Sequence, residues 1–209
     1  AGIHLSKTAR AWQELREQKE TGDRWGGNQY TEWGTAREPV LAPLVVEVDS
    51  RLVYTADPQT IIVNRNNDMV CGTPDLFSED GAVIGEIKTA KHQFAGGKFH
   101  DWCPDGYYLQ VQANMWNAGA EACVLLVEYY QEQDGVFTPD GYEYQVIEYD
   151  PKVVKELEAT AEDWFYWLDG LSPWWMGEVT SLEDADKVED LVVQLADAEE
   201  KAASWSDLA

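Results

Sequence analysis

The residues of this chain best suited to chemistry are an Asp that follows a proline and, across a short acidic turn, a Glu-x-Lys triplet inside an apolar run. The stretch reads Gly72-Thr73-Pro74-Asp75-Leu76-Phe77, then Ser78-Glu79-Asp80-Gly81, then Ala82-Val83-Ile84-Gly85-Glu86-Ile87-Lys88-Thr89. It predicts a hairpin. Side chains at i and i+2 of a strand share a face, so Glu86 and Lys88 project together, and Asp75, ending the facing strand, lies within their reach. Two carboxylates and an ammonium are costly to bury together unless something compensates them, and a divalent cation does so. The cluster therefore reads as a metal site. The plainer alternative is a surface hairpin with an ordinary ion pair, since 39 of the 209 residues are Asp or Glu and Glu-x-Lys arises by accident in so acidic a chain.

Two flanking elements must position these groups. Upstream, Tyr30 to Val46 reads as a helix that Pro39 and Pro43 should kink or shorten. Trp33, Arg37, Leu41 and Leu44 recur at helical spacing, and Glu38 falls beside that stripe, either leaning towards the sheet or solvated. Downstream, Gly106 to Asn117 places Tyr108, Val111, Met115 and Ala118 on one helical face and Gln110 with Asn114 on another. The remaining pattern predicts a helix from Lys7 to Lys19, with Ser6 as a possible N-cap. It also predicts strands near Arg51 to Thr55 and Thr60 to Asn64, and a Gly- and aromatic-rich loop from Gln93 to Asp105. Strands at Ala122 to Tyr130 and Tyr142 to Tyr149 follow across a Gly-Pro turn. The last of these elements is a helix from Pro151 to Leu168 with Val153, Val154, Leu157, Ala161, Trp164 and Leu168 inward.

The ordered set Glu38, Gly72-Thr73-Pro74-Asp75, Glu86-Ile87-Lys88 and Tyr107-Tyr108-Leu109-Gln110-Val111-Gln112-Ala113-Asn114-Met115-Trp116 resembles the phage lambda exonuclease, or YqaJ-type viral recombinase, branch of the PD-(D/E)xK nucleases. The resemblance spans roughly Ile3 to Leu168. It implies an α/β, restriction-endonuclease-like fold with a central mixed β-sheet flanked by helices. It also implies that Asp75 and Glu86 bind catalytic Mg2+ or Mn2+, that Lys88 sits by the attacking water with Gln110 in support, and that Glu38 completes the site. The carbonyl oxygen of Ile87 is a further candidate ligand, because hard oxygen donors suit these ions. A lysine near metals and an apolar wall is expected to have a lowered pKa. Ser6 and Thr73 match family positions that hold a 5′ phosphate. The Arg that relatives carry before the N-terminal glycine is absent, leaving Arg10 or Lys7 as substitutes, and Lys91 is a further substrate-binding candidate.

The activity so implied is metal-dependent exonucleolytic hydrolysis of DNA from duplex ends, 5′ to 3′, in phage-type recombination or repair, with a single-strand annealing protein as partner and a homo-trimer as assembly. Two other readings share the residues: a structure-specific endonuclease, and a nuclease-fold binding module acting through an acidic tail. The expected organisation is a nuclease domain over residues 1–170 and an acidic, Trp-containing, helical tail over 171–209, whose Trp174 and Trp175 either pack on the core or stack DNA bases.

Composition pulls against DNA binding. The formal net charge is −24, whereas affinity for phosphate comes largely from Lys and Arg. Much of the excess lies between Glu178 and Asp207, while Arg51, Arg65, Lys88, Lys91, His92, Lys98 and His100 are expected to surround the site as a local basic channel. An acidic body of this kind also suits a high-salt or acidic intracellular habitat. Three cysteines, Cys71, Cys103 and Cys123, are too few for a four-cysteine iron–sulfur cluster and odd in number for a disulfide framework. No signal peptide or membrane span is apparent, and a reducing cytoplasm is the expected setting.

Overall fold

The computed structural model describes residues 9–22, 26–55, 59–91 and 105–169. Contacts divide the chain into two compact units, residues 26–157 and residues 1–25 with 158–209. In the first unit a long helix α2 (Gln29–Val48) precedes β1 (Leu52–Tyr54), β2 (Ile62–Val63), β3 (Cys71–Gly72), β4 (Leu76–Ser78) and β5 (Val83–Lys91). A second helix, α3 (Asp105–Ala118), then leads to β6 (Ala122–Gln133) and β7 (Val136–Glu148). Five strands form one mixed sheet in the order β1-β4-β5-β6-β7, and β2 and β3 pair as a separate antiparallel ribbon. Only β5 and β6 among the sheet neighbours run parallel. A parallel pair needs a crossover, and α3 lies in it.

The two helices cover opposite faces of the sheet. Ile84 and Ala90 of β5 pack with Cys123, Leu125 and Val127 of β6 against Val111 and Met115 of α3. Val83 and Ile87, with Leu76, Val124 and Leu126, pack against Leu41, Ala42 and Val45 of α2. Burial on both faces is why these strands read as continuous apolar runs. It also means that the alternation along β5 decides which helix each side chain meets: Glu86 and Lys88 share the Ile84 side, towards α3.

The expected shortening of α2 does not occur. The helix runs unbroken through Pro39 and Pro43. Proline removes the bond to the carbonyl four residues back, which for Pro43 is Pro39 and for Pro39 is Thr35. All three residues are exposed, so the freed carbonyls face water, while Leu41, Ala42 and Val45 hold the opposite side on the sheet. Asn28 fixes the start: its Oδ1 accepts from the N–H groups of Tyr30 and Thr31, and Thr31 Oγ1 accepts from Asn28 N at 2.7 Å.

Other boundaries also differ from expectation. The predicted arm Gly72 to Phe77 is split, with Cys71–Gly72 belonging to the ribbon and Leu76–Ser78 to the sheet. The β6–β7 hairpin is longer than expected and turns at Asp134-Gly135, both at positive φ (53° and 78°), as a two-residue turn of this hand requires. Pro139 is therefore not in the turn but inside β7, opposite Tyr130 beside a register shift.

In the second unit, α1 (Ala9–Thr21) contributes Trp12, whose ring meets Trp164 edge-on at 5.2 Å and lies 5.8 Å from Trp167. The latter two belong to α4 (Pro151–Leu168), which starts in the first unit. Along α4, Val154, Leu157 and Ala161 are buried as expected, but Trp167 takes the inward position and Leu168 is exposed. The expected tail, with Trp174 and Trp175, lies outside the described residues. Among those described, no helix is long and apolar enough to cross a membrane.

Candidate active site

The site forms where β4 stops. The β4–β5 ladder pairs Phe77 with Ile84 and Leu76 with Gly85, and one further step sets Asp75 opposite Glu86. The backbone ladder does not continue there. Instead the Asp75 carboxylate takes the place of the missing strand, its Oδ2 accepting from Ile87 N at 2.7 Å. The N–H and C=O of one strand residue leave on the same side, so the Ile87 carbonyl also points to this gap beside Asp75.

Glu86, 1 % exposed, is the centre of the polar cluster. Its Oε1 accepts from Lys88 Nζ at 2.6 Å and from Gln110 Nε2 at 2.9 Å, and its Oε2 accepts from Asn114 Nδ2 at 3.1 Å. Gln110 and Asn114 stand one helical turn apart on α3, so one face of that helix delivers both amides to one carboxylate. Lys88 Nζ also lies 5.8 Å from the centre of the Tyr107 ring.

Charge is unevenly matched here. Burial, then repulsion from Glu86, pushes the Asp75 carboxyl up to about 7, against weaker opposition from Lys88 and the Ile87 N–H. Burial also raises the pKa of half-buried Glu38, on α2, with Lys88 opposing and Glu86 adding to the shift. Three carboxyl groups thus share one ammonium. Burial alone would lower the Lys88 pKa, but attraction to Glu86 and then Asp75, with the Glu86 hydrogen bond, raises it above the usual value. Without a bound metal the acidic neighbours outweigh burial at Lys88; the expected lowering concerns the same lysine beside a bound cation.

These residues fit a divalent cation. The donors are hard oxygens, and the raised carboxyl pKa values mark a buried cluster short of positive charge. Asp75, Glu86 and the Ile87 carbonyl are the groups that would hold the ion. Among the described residues no three His, Cys, Asp or Glu side chains form a ligand set by themselves, so the carbonyl and water or phosphate oxygens must complete it.

The structure thus brings together Asp75, Glu86, Ile87, Lys88 and Gln110, with Glu38 within electrostatic reach. Thr73 is half-buried two residues before Asp75. Lys91 is tied up otherwise, in an ion pair with Glu132 Oε2 at 2.8 Å and 5.3 Å from the centre of the Tyr30 ring. The proposed basic channel loses Arg51, which binds Asp49 and Asp80 beside the turn at the opposite end of β5. Ser6, His92, Lys98 and His100 lie outside the described residues, as does the side chain of Arg10.

Two contributions went unassigned in the sequence. Asn114 was recognisable as the partner of Gln110 on its helix face, but its bond to Glu86 depends on how α3 sits against β5. Arg37 grips Glu128 of β6 through Nε at 2.8 Å and Nη2 at 2.6 Å, anchoring the turn of α2 that carries Glu38. No local pattern links residues so far apart in the chain.

Comparison with known proteins gives a consistent result. Residues 3–121 match the model of the YqaJ-like viral recombinase domain. No curated protein matches the chain significantly. Among solved structures, the alkaline exonuclease of Laribacter hongkongensis superposes with a TM-score of 0.62 at 18 % identity, covering 94 % of this chain and 90 % of that one. Its complex with dAMP gives the same TM-score at 19 % identity. A phage-related exonuclease from Haemophilus somnus 129PT gives 0.56 at 15 % identity, covering 78 % of this chain and 82 % of its own. The shared fold is the mixed sheet flanked by helices of the PD-(D/E)xK-type exonucleases.

Proposed function

The chain belongs to the YqaJ-like viral recombinase family, and from that premise we propose that it is a Mg2+- or Mn2+-dependent exonuclease that hydrolyses DNA from duplex ends, 5′ to 3′. The observation that carries this reading is the buried Asp75–Glu86 pair, short of positive charge, with the Lys88 ammonium beside it. A cation held there lowers the pKa of a bound water and neutralises the charge that builds on the phosphate. Asp75, Glu86 and the Ile87 carbonyl would hold that ion. Lys88 donates one N–H to Glu86 Oε1 at 2.6 Å, and from that position it is placed to orient the attacking water and phosphate oxygens or to help deprotonate the water. Gln110 holds Glu86 from α3, and Glu38 closes the site from α2. Thr73, Lys91, Ser6 and Arg10 are the candidates for the path of the DNA.

A single-strand annealing partner, a cytoplasmic setting and a ring-shaped trimer fit the same reading, although −24 on each chain sets up repulsion between subunits that salt must screen. Endonucleolytic cleavage would use the same residues. The deciding experiment is digestion of a linear duplex carrying a 5′ phosphate on one end and a 5′ hydroxyl on the other, beside a covalently closed circle. Loss of the 5′ label first, faster from the phosphorylated end, with the circle intact and no reaction in excess chelator, is the expected result. Equal cleavage of the circle would replace the exonuclease with an endonuclease.

A further inference from the structure

On α3, Gln110, Asn114 and Asn117 fall at i, i+4 and i+7, a polar stripe along one side of the helix. Asn114 and Asn117 are both almost fully buried, so each amide must find partners. They find different ones. Asn117 Oδ1 accepts from Asn64 Nδ2 at 3.4 Å, and Asn64 Nδ2 also reaches the Trp116 carbonyl at 3.3 Å. That network ties α3 to the β2–β3 ribbon. Asn114 turns instead to the sheet and donates to Glu86 Oε2.

The difference bears on the reacting centre. Lys88 and Gln110 both donate to Oε1, which locates that oxygen but leaves the plane of the carboxylate free to swing about it. The terminal torsion of Glu is broad and poorly fixed by its own energetics. Among the described residues Asn114 is the one donor to Oε2, and a third bond on the second oxygen fixes the plane. Gly72 of β3 leaves room for this amide. A Cβ there would overlap Asn114 Oδ1 and approach Asn117 Nδ2 to 2.9 Å, and neither amide could give way without breaking its own hydrogen bond.

We infer that Asn114 is a positioning residue that sets the orientation of the Glu86 carboxylate for cation binding, and that Gly72 is glycine because its side chain would displace that amide. The inference rests on the proposed metal-dependent reaction. Partners that orient a metal ligand in this way typically contribute about 10–100-fold in metal affinity or rate when removed.

The test compares Asn114→Leu, close in shape but without a donor, with Gly72→Ala, which pushes the amide aside and leaves it present, and with Asn117→Leu as the control on the same stripe. Thermal melting reports the fold, and calorimetric titration of Mn2+ reports the site without any turnover. Asn114→Leu and Gly72→Ala should each bind Mn2+ about 10–100-fold more weakly. The Mg2+ concentration for half-maximal rate should rise by a similar factor, with KM for duplex DNA unchanged. Asn117→Leu should lower the melting temperature and leave Mn2+ affinity alone. Wild-type Mn2+ affinity in folded Asn114→Leu would overturn the positioning role, as would equal loss in Asn117→Leu. Wild-type affinity in folded Gly72→Ala would overturn the reason given for the glycine. Failure of the wild-type protein itself to bind Mn2+ or cut DNA would count against the proposed function instead.

Discussion

Glu86 and Glu128 stand on neighbouring parallel strands, Glu86 opposite Leu125 and Glu128 opposite Thr89, and both are buried, at 1 % and 3 % exposed. Their charges are met in opposite ways. Glu128 has a guanidinium to itself: Arg37 binds both its oxygens, and the Arg37 pKa is raised chiefly by that hydrogen bond. Glu86 shares the Lys88 ammonium with Asp75 and Glu38, and amides satisfy the rest of its oxygens. One acid is closed by a matched, bidentate ion pair, which is what structure needs. The other is hydrogen-bonded but not neutralised, and a site left short of positive charge is one that can accept a cation.

The contrast is sharpest in a pair of substitutions. Glu86→Gln should lower DNA hydrolysis by at least about a thousandfold, as loss of a group acting on the transition-state charge does, while leaving the melting temperature the same or higher. Glu128→Gln should keep much of the activity and lose stability, by roughly 3 kcal/mol in urea titration, because it leaves the partly buried Arg37 without its charge partner. If the two variants behaved alike in both measurements, the distinction between the acids would be lost.

Next in size is Lys88→Ala. If Lys88 orients water and phosphate and is not needed to hold the cation, its removal should lower kcat by about a hundredfold and leave Mn2+ affinity intact or improved. A loss of Mn2+ affinity parallel to the loss in rate would make Lys88 a structural member of the ligand cluster.

The smallest effect is on stability against pH in chelator. The folded-state pKa of Asp75, about 7, lies above its reference of 3.8, so between those values the folded chain keeps a proton that the unfolded chain releases. Stability must then fall as pH rises from about 4 to about 7, by a few kcal/mol at most at about 1.4 kcal/mol per pKa unit. Acidic pH favours a −24 chain generally, so the contribution of Asp75 is read by difference: Asp75→Asn should flatten this part of the melting-temperature profile, and an unchanged slope would contradict the buried, charge-poor site.

How much of this was legible in the sequence follows from the range of each interaction. Asp75, Glu86 and Lys88 come together by strand alternation across one tight turn, and Gln110 and Asn114 share a face by helical spacing, so local periodicity was enough to group them. The resemblance then supplied Glu38. Periodicity could not reveal that Asn114 reaches Glu86, that Arg37 finds Glu128, or that Arg51 is consumed by Asp49 and Asp80, since each depends on packing between elements distant in the chain. Pro39 and Pro43 misled because their cost depends on where the freed carbonyls point, and here they point to water. The ribbon strand Cys71–Gly72 is too short for any pattern.

The central claim is that the Asp75–Glu86 cluster binds a divalent cation because its charge is unmatched. Calorimetric titration of Mg2+ into the wild-type protein, Glu86→Gln and Glu128→Gln tests it most directly. The account predicts saturable binding by the wild type and by Glu128→Gln, and none by Glu86→Gln. Binding that survives in Glu86→Gln, or that is lost equally in folded Glu128→Gln, would contradict it.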